Sequence, residues 1–231
     1  MRSVKAIFKK QIYDTFKNKM ILVQFILFPV LAAIMTELVA KADENIPNSM
    51  FVTMFGAMFA GMTLLIFMTG VISEDAENKS TRLLVMAGVK PHEYLIGVSG
   101  AAIILSVLVI TAFGFIGGFS GTDFLKFTSV LMLGSIASLL IGASVGMLMK
   151  NQQAAVAVAT PVAMLFAFCP MLANFNEDIK YFTWFFYTRQ IDIVVNNFSA
   201  DYVTAVLTIL GNIAVFLVLF TVAYKVKGLR A

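Results

Sequence analysis

The sequence predicts an all-α membrane protein. It has six transmembrane helices, an interfacial amphipathic helix before the first, a short cytosolic helix after the second and short outer-interface helices before the last. Of the 231 residues, 60% are hydrophobic and 13% are charged, whereas soluble domains average about 45–50% and 25%. Apolar runs of about 20 residues, each long enough to cross a bilayer core, recur along the chain. These observations predict one membrane domain over residues 1–231.

Residues 3–19 are too polar for a span, but their apolar side chains recur with a helical period. The apolar face contains Val4, Ile7, Phe8, Ile12, Tyr13 and Phe16. The other face contains Lys5, Lys9, Lys10, Asp14, Lys17 and Asn18. This pattern predicts a basic amphipathic helix that lies in the lipid headgroup region.

Six apolar segments follow, separated by short polar turns. They cover residues 20–40, 50–72, 94–119, 125–149, 154–172 and 202–224. Pro29 lies in the first segment, and Pro161 and Pro170 lie in the fifth; neighbouring helices can satisfy the backbone groups that a proline frees. Polar residues from Lys41 to Ser49, including Asp43 and Glu44, predict a loop. Lys225 to Arg230 is predicted to be a polar tail.

The distribution of basic residues predicts the orientation. With six spans and the N-terminus inside, 13 Lys and Arg residues fall on the cytosolic side and 4 on the outer side. This excess predicts a multi-pass membrane protein with both termini in the cytosol. The basic start followed by Ala40-Lys41-Ala42 resembles a secretory signal. Because its basic region is long and amphipathic, we expect the first span to be retained.

Residues 173–200 are too aromatic for a plain loop. Tyr181, Phe182, Trp184, Phe185, Phe186 and Tyr187 lie close together, flanked by charged residues. Such side chains favour the membrane–water boundary. We expect an extracellular or re-entrant segment of one or two short helices. Two functions remain open for it: an aromatic anchor, or an element in substrate exit or gating.

Small residues recur at spacings of four in two spans. Gly114 and Gly118 end the third span, and the fourth contains a ridge of Gly134, Ser138, Gly142 and Gly146. Small residues at this spacing allow helix backbones to approach closely. They predict tight packing, within one subunit or across a dimer.

Several kinds of chemistry are missing from the sequence. It contains no phosphate-binding G-x-x-x-x-G-K-[ST] loop, no H-E-x-x-H motif and no G-x-S-x-G motif. It has one histidine, His92, and one cysteine, Cys169, in an apolar run. The predicted span centres contain essentially no ionisable residues, which argues against a proton-coupled carrier. We expect no catalytic, cofactor or metal site, and no nucleic-acid binding, since the net charge of +4 comes from span ends.

A polar island, Ser73–Arg82, separates the second and third spans. Leu83, Leu84, Val85 and Met86 follow it, and then come Gly88 and Pro91. Apolar anchors inside a charged rim are typical of protein interfaces. Here Glu77, Lys79 and Arg82 supply the rim. The island is therefore predicted to bind another protein, although a solvated loop that only fixes topology remains the alternative.

Together these features resemble the permease subunit of an ABC-2 type ABC transporter. The loop of that family carries acidic and basic residues, a Gly-Thr or Ser-Thr pair, a leucine pair and a proline. Ser80-Thr81, Leu83-Leu84 and Pro91 match this order, with Ser80 where many members have glycine. The stretch from Asn151 to Pro161 and the aromatic segment before the last span are also similar.

The resemblance implies that two permease subunits, identical or different, pack together above two cytosolic ABC ATPase subunits, which bind ATP and Mg. It implies that the loop 74–93 contains a coupling helix at about 77–88 that docks on the ATPase. Its ATPase-coupling residues would be Glu77, Lys79, Thr81, Arg82, Leu83, Leu84, Val85, Met86 and Pro91. We expect Leu84→Asp, or charge reversal at Glu77 with Arg82, to abolish coupling while leaving insertion intact.

The leading hypothesis is an exporter permease for an amphipathic or hydrophobic substrate such as a peptide, a drug or a lipid-like molecule. The family also suggests antimicrobial peptide export or resistance. The alternative is a non-transporting immunity or sensor subunit that binds a toxin or an ATPase. A third class, a self-contained carrier or membrane enzyme, conflicts with the missing intramembrane charges. The sequence does not identify the substrate-binding residues.

Overall fold

The protein is helical throughout the part of the chain that its computed structural model describes. Residues 2–42, 46, 47, 49–199 and 201–228 are described, except for the side chains of Arg2, Arg82, Val85, Lys227 and Gly228. The helices are α1 Arg2–Lys17, α2 Lys19–Met35, α3 Ser49–Met58, α4 Leu64–Glu77, α5 Ser80–Met86, α6 Pro91–Ile116, α7 Gly121–Leu148, α8 Gln152–Phe175, α9 Glu177–Phe182, α10 Tyr187–Asn196 and α11 Tyr202–Gly228. Asp43, Glu44 and Arg230, named in the predicted loop and tail, lie outside the described residues.

Six segments in the described ranges are long and apolar enough to cross a membrane. They are Lys19–Ala40, Ser49–Glu77, Pro91–Ile116, Gly121–Leu148, Gln152–Phe175 and Tyr202–Val226. The first ends in a π-helical turn, Thr36–Ala40, and the second contains one, Phe59–Thr63. The predicted all-α membrane fold with six spans is therefore confirmed.

Two spans form the centre of the bundle. The span of α3 and α4 and the span of α7 bury most of their residues, whereas most residues of the first and last spans are not fully buried. The exposed side chains of α2 and α11 are mostly apolar, as lipid-facing surfaces require. We call the end of the bundle that carries α5 the α5 face, and the opposite end, which carries α9, the α9 face.

The second span is longer than the sequence predicted. The expected span ended at residue 72, but α4 continues to Glu77. Three charged residues of the polar island, Glu74, Asp75 and Glu77, therefore lie on the last turns of a helix. The chain leaves the helix only at Asn78 and Lys79, and Lys79 adopts a left-handed φ of 57°. The predicted coupling helix at 77–88 is shorter in the structure, at Ser80–Met86.

The third span is shifted toward the N-terminus from its predicted range. Pro91 was predicted to lie in the loop 74–93 but occupies the first turn of α6, where its missing N–H has no cost. The Glu93 side chain caps this end by accepting a hydrogen bond from the Lys90 N–H at 3.1 Å. The helix ends at Ile116, and Gly118 follows with a left-handed φ of 68°. Gly118 therefore forms a turn instead of the predicted packing ridge with Gly114.

The first helix packs on the protein more closely than an interfacial helix needs to. Ile7 lies over Gly97 of α6 and Phe8 lies over Gly100, where a Cβ would clash with either side chain. The buried stripe of α1 continues through Gln11 and Thr15, while Tyr13 and Phe16 of the predicted apolar face are exposed. The contact face of α1 is therefore rotated from the predicted apolar face: it retains Ile7 and Phe8, which fit over the glycines of α6, and it includes Gln11 and Thr15.

The small residues of α7 pack as the sequence predicted, within one subunit. A Cβ on Gly142 would lie 2.4 Å from the Leu65 carbonyl oxygen, and one on Gly146 would lie 2.8 Å from that of Thr69. These contacts bring the backbones of α4 and α7 together. Gly134 instead faces Ile191 of α10.

The segment before the last span forms two short helices with opposite environments. No residue of α9 is buried, whereas α10 buries eight of its ten residues. The structure has two short helices where one or two were predicted, and α10 is buried within the helical bundle. It packs between α3, α7, α8 and α11. The predicted tail is also helical up to Gly228, as part of α11.

Candidate functional site: the α5 face and the α9–α10 segment

A polar cluster holds the α5 face together. Lys10 Nζ donates to Asp75 Oδ1 at 2.9 Å, and the Tyr94 hydroxyl donates to Asp75 Oδ2 at 2.9 Å. Asp75 and Tyr94 are buried. Partial burial alone lowers the pKa of Lys10, but the hydrogen bond and the charge of Asp75 outweigh it and raise that pKa above its ordinary value. One carboxylate thus joins α1, α4 and α6 just before α5 begins.

Glu77 has a partner inside the chain. The backbone N–H of Gln152, the first residue of α8, donates to Glu77 Oε2 at 2.9 Å. A carboxylate at a helix N-terminus is stabilised by the partial positive charge there. Glu77 was predicted to belong to the charged rim. The structure places it at the end of α4, where it links the second span to the fifth.

Helix α5 divides its apolar side chains between two environments. Leu83 and Met86 are 66% and 76% exposed. Leu84 packs against the apolar core, and the Thr81 hydroxyl is enclosed. Leu84→Asp would therefore disturb packing as well as any docking surface. The side chains of Arg82 and Val85, two further predicted coupling residues, lie outside the described part of the structure.

Two further predicted coupling residues, Lys79 and Pro91, lie on either side of α5. Lys79 precedes α5 and is exposed, and Pro91 follows it, half-buried at the start of α6. After α5 the chain turns at Gly88, whose φ is 77°. The Val89 N–H bonds to the Leu84 carbonyl oxygen at 3.0 Å and closes the helix. The α5 face thus carries two exposed apolar side chains on a base fixed by buried hydrogen bonds.

Helix α10 carries a buried ion pair that sequence reasoning missed. Arg189 Nη1 donates to the carboxylate of Asp192 and, at 3.0 Å, to Asn174 Oδ1 near the end of α8. Asn196 Nδ2 donates to Asp192 Oδ1 at 2.9 Å. The sequence signal was present: Arg189 and Asp192 stand three residues apart, on one face of a helix.

A second buried contact lies at the beginning of α10. The hydroxyls of Tyr187 and Ser138 lie 2.6 Å apart, and Ser138 Oγ also donates to the carbonyl oxygen of Ala60 in the π-helical turn. Tyr187 also packs its ring against Phe166 of α8. Tyr187 therefore contacts the fourth and fifth spans directly and is linked to the second span through Ser138. The sequence placed Tyr187 only in an aromatic cluster.

The α9 face, in contrast, is open. Its groove of about 700 Å³ is lined by Glu177, Lys180, Tyr181, Phe182, Trp184 and Phe185. Tyr181 and Phe182 are strongly exposed. Within the described ranges, no three His, Cys, Asp or Glu side chains come close enough to hold a metal ion.

Comparison with known proteins identifies the family of this helical bundle. No curated protein matches the sequence. A family model described as ABC-2 type transporter matches residues 2–202, which include five of the spans, α5 and the α9–α10 segment. The chain therefore belongs to the ABC-2 type transporter family as a membrane-spanning permease subunit of an ABC transporter.

Proposed function

We propose that this permease belongs to an exporter and that α5 is the coupling helix by which a separate cytosolic ATPase drives it. The exposure of Leu83 and Met86 carries the proposal. Two large apolar side chains one helical turn apart, outside the apolar spans and on a rigid base, are costly in water and typical of an interface anchor.

The charge distribution supports a cytosolic α5 face. Lys9, Lys10, Lys17 and Lys79 lie on or near it, whereas Lys41 and Lys180 lie toward the α9 face and pair with Glu37 and Glu177. An excess of basic residues marks the cytosolic side of a membrane protein. This orientation puts both termini in the cytosol, and we propose a bacterial exporter in which two ATPase subunits bind the α5 face.

The substrate is proposed to be amphipathic or hydrophobic. The α9 groove combines aromatic side chains with one Lys180–Glu177 pair. Such a lining accepts an apolar body and a polar head at the membrane boundary. A peptide, a drug or a lipid-like molecule has this character. A second permease subunit, identical or different, would complete the pathway against the exposed face of one of the spans.

Co-purification tests the docking surface. The tagged chain is isolated from its native membrane in mild detergent and its partners are identified by mass spectrometry. We expect a stoichiometric ATPase with the wild type and its loss with Leu83→Ser/Met86→Ser. The matched control is Tyr181→Ser, a large side chain on the α9 face that is even more exposed, at 85%, and this variant should retain the ATPase.

Two results would contradict the proposal. Retention of the ATPase by the Leu83→Ser/Met86→Ser variant would remove α5 as the docking site. A wild-type chain that purifies from its native membrane without an ATPase would favour the sensor or immunity function.

A further inference from the structure

The second span is not one continuous α-helix, and the interruption is held by other helices. In the π-helical turn Phe59–Thr63, two backbone carbonyl oxygens accept bonds from distant side chains. Ser138 Oγ of α7 donates to the Ala60 oxygen, and Gln24 Nε2 of α2 donates to the Thr63 oxygen at 3.2 Å. Turns of this kind inside α-helices frequently mark functional positions and bends.

Beyond the turn, α4 and α7 form one block. Gly142 and Gly146 let the two backbones touch, and Thr69 Oγ1 donates to the Gly142 carbonyl oxygen at 3.0 Å. Contacts between backbones leave no flexible side chain to absorb a displacement. Since only Asn78 and Lys79 separate α5 from α4, we expect a force applied to α5 to move this α4–α7 block as a unit.

The block reaches α10 through hydroxyl groups. Ser138 has a single hydroxyl hydrogen, and the Ala60 carbonyl oxygen can only accept, so this hydrogen points to Ala60. Tyr187 must therefore donate to Ser138 across their 2.6 Å separation. The result is a directed chain from Tyr187 through Ser138 to Ala60, which joins α10, α7 and the π-helical turn.

Helix α10 is built so that it can move without separating charges. The partner of Arg189 is Asp192, and both belong to α10. A shift of α10 relative to α8 breaks the 3.0 Å hydrogen bond from Arg189 to Asn174 but leaves the ion pair intact. Separating a buried pair is far more costly than losing one hydrogen bond.

We propose that the π-helical turn Phe59–Thr63 is a hinge and that Tyr187 is a positioning residue through which movement of the α4–α7 block displaces α10. The inference rests on the proposed function, in which α5 is the driven end and the α9 face is the releasing end. Tyr187 transmits the movement; it does not bind substrate or ATP.

The single tryptophan provides a probe of α10. Trp184 lies in the turn before α10, and its carbonyl oxygen accepts a hydrogen bond from the Gln190 side chain of α10. The chain is labelled with 5-fluorotryptophan, placed in lipid nanodiscs and observed by fluorine NMR. We expect one sharp resonance for the wild type. Tyr187→Phe, which removes only the hydroxyl, should broaden or split it because α10 is released from Ser138.

A second tyrosine supplies the matched control. The hydroxyls of Tyr202 and Ser129 lie 2.7 Å apart and tie the same helix, α7, to α11. Tyr202→Phe should leave the Trp184 resonance unchanged. An unchanged resonance in Tyr187→Phe, or equal changes in both variants, would overturn the proposal without involving any ATPase.

The complex with the co-purified ATPase separates this inference from the proposed function. In the wild type, ATP should shift the Trp184 resonance and drive transport. In Tyr187→Phe, ATP hydrolysis should persist, the shift should be lost, and transport per ATP should fall about fivefold or more, the low end of ordinary coupling between sites. Wild-type coupling in Tyr187→Phe would refute the hinge while leaving the exporter function standing.

Discussion

The segment from Asn78 to Lys90 and the segment from Asn176 to Ser199 both connect membrane spans, and they fold in opposite ways. The first exposes Leu83 and Met86 of α5, above the buried hydrogen bond between Tyr94 and Asp75. The second exposes the aromatic α9 and buries the charged face of α10. A polar sequence indicates that a segment does not face lipid, but it does not show whether the segment is exposed or buried. A charged helix can be buried when its charges have partners, and in α10 Arg189 and Asp192 are partners of each other.

The largest expected effect breaks this comparison at α10. Arg189→Leu leaves Asp192 buried and without its cation, so we expect a loss of about 3–5 kcal/mol in the free energy of unfolding. Lys180→Leu removes the corresponding cation of the exposed Glu177 pair on α9 and should cost about 0–1 kcal/mol. Denaturant titration in one detergent measures both. Equal effects of the two substitutions would mean that α10 is not buried. The double variant Arg189→Leu/Asp192→Leu should recover most of the stability that Arg189→Leu loses.

The next effect tests the base of the α5 face. Asp75→Asn weakens the acceptor of Lys10 and Tyr94, and we expect a loss of about 1–3 kcal/mol. The control is Asp14→Asn, because Asp14 lies 4.0 Å from the same lysine but is exposed. Protease sensitivity near α1 should rise in the first variant and stay at the wild-type level in the second. An Asp75→Asn protein that is as stable as the wild type, with α1 protected from protease, would contradict the role of Asp75 in holding α1 against α4 and α6.

A smaller effect is expected where α5 ends. Gly88 has a φ of 77°, so Gly88→Ala should cost about 1 kcal/mol through the left-handed conformation alone. Gly211→Ala in α11 is the control, since its added methyl group also meets nothing within 4 Å but its backbone is helical. The change in the free energy of unfolding should have opposite signs in the two variants, because alanine stabilises a helix interior relative to glycine. Equal destabilisation would argue against the described end of α5.

The smallest effect on stability distinguishes two neighbouring leucines. Leu83→Ser removes an exposed side chain and should change the free energy of unfolding by less than about 0.5 kcal/mol. Leu84→Ser removes one that packs on the core and should cost clearly more. Thermal unfolding in detergent measures the difference. A larger cost at Leu83 would reverse the assignment of the docking side of α5.

Sequence reasoning identified the six spans because each is an unbroken apolar run, and it identified the loop motif because Leu83, Leu84 and Pro91 stand in a recognisable order. It missed the continuation of α4 because Asp75 is stabilised by Lys10, 65 residues away, and by Tyr94, 19 residues away. The residues next to Asp75 in the sequence do not indicate contacts with residues so far away along the chain. The same limit applied to Leu84, whose orientation depends on the packing of α5, and to α10, whose aromatic neighbours resembled an interfacial anchor.

The π-helical turn in the second span accommodates one residue more than a regular α-helix needs over the same length. Deleting one residue from Phe59–Thr63 would therefore restore regular α-helix there, and α3 and α4 would keep their rotational phase. Asp75 would still face Lys10 and Tyr94. The carbonyl oxygens of Ala60 and Thr63, however, would accept bonds within the helix instead of those from Ser138 and Gln24. The extra residue thus leaves the distant polar cluster unaffected and gives the middle of the span its hydrogen bonds to α7 and α2.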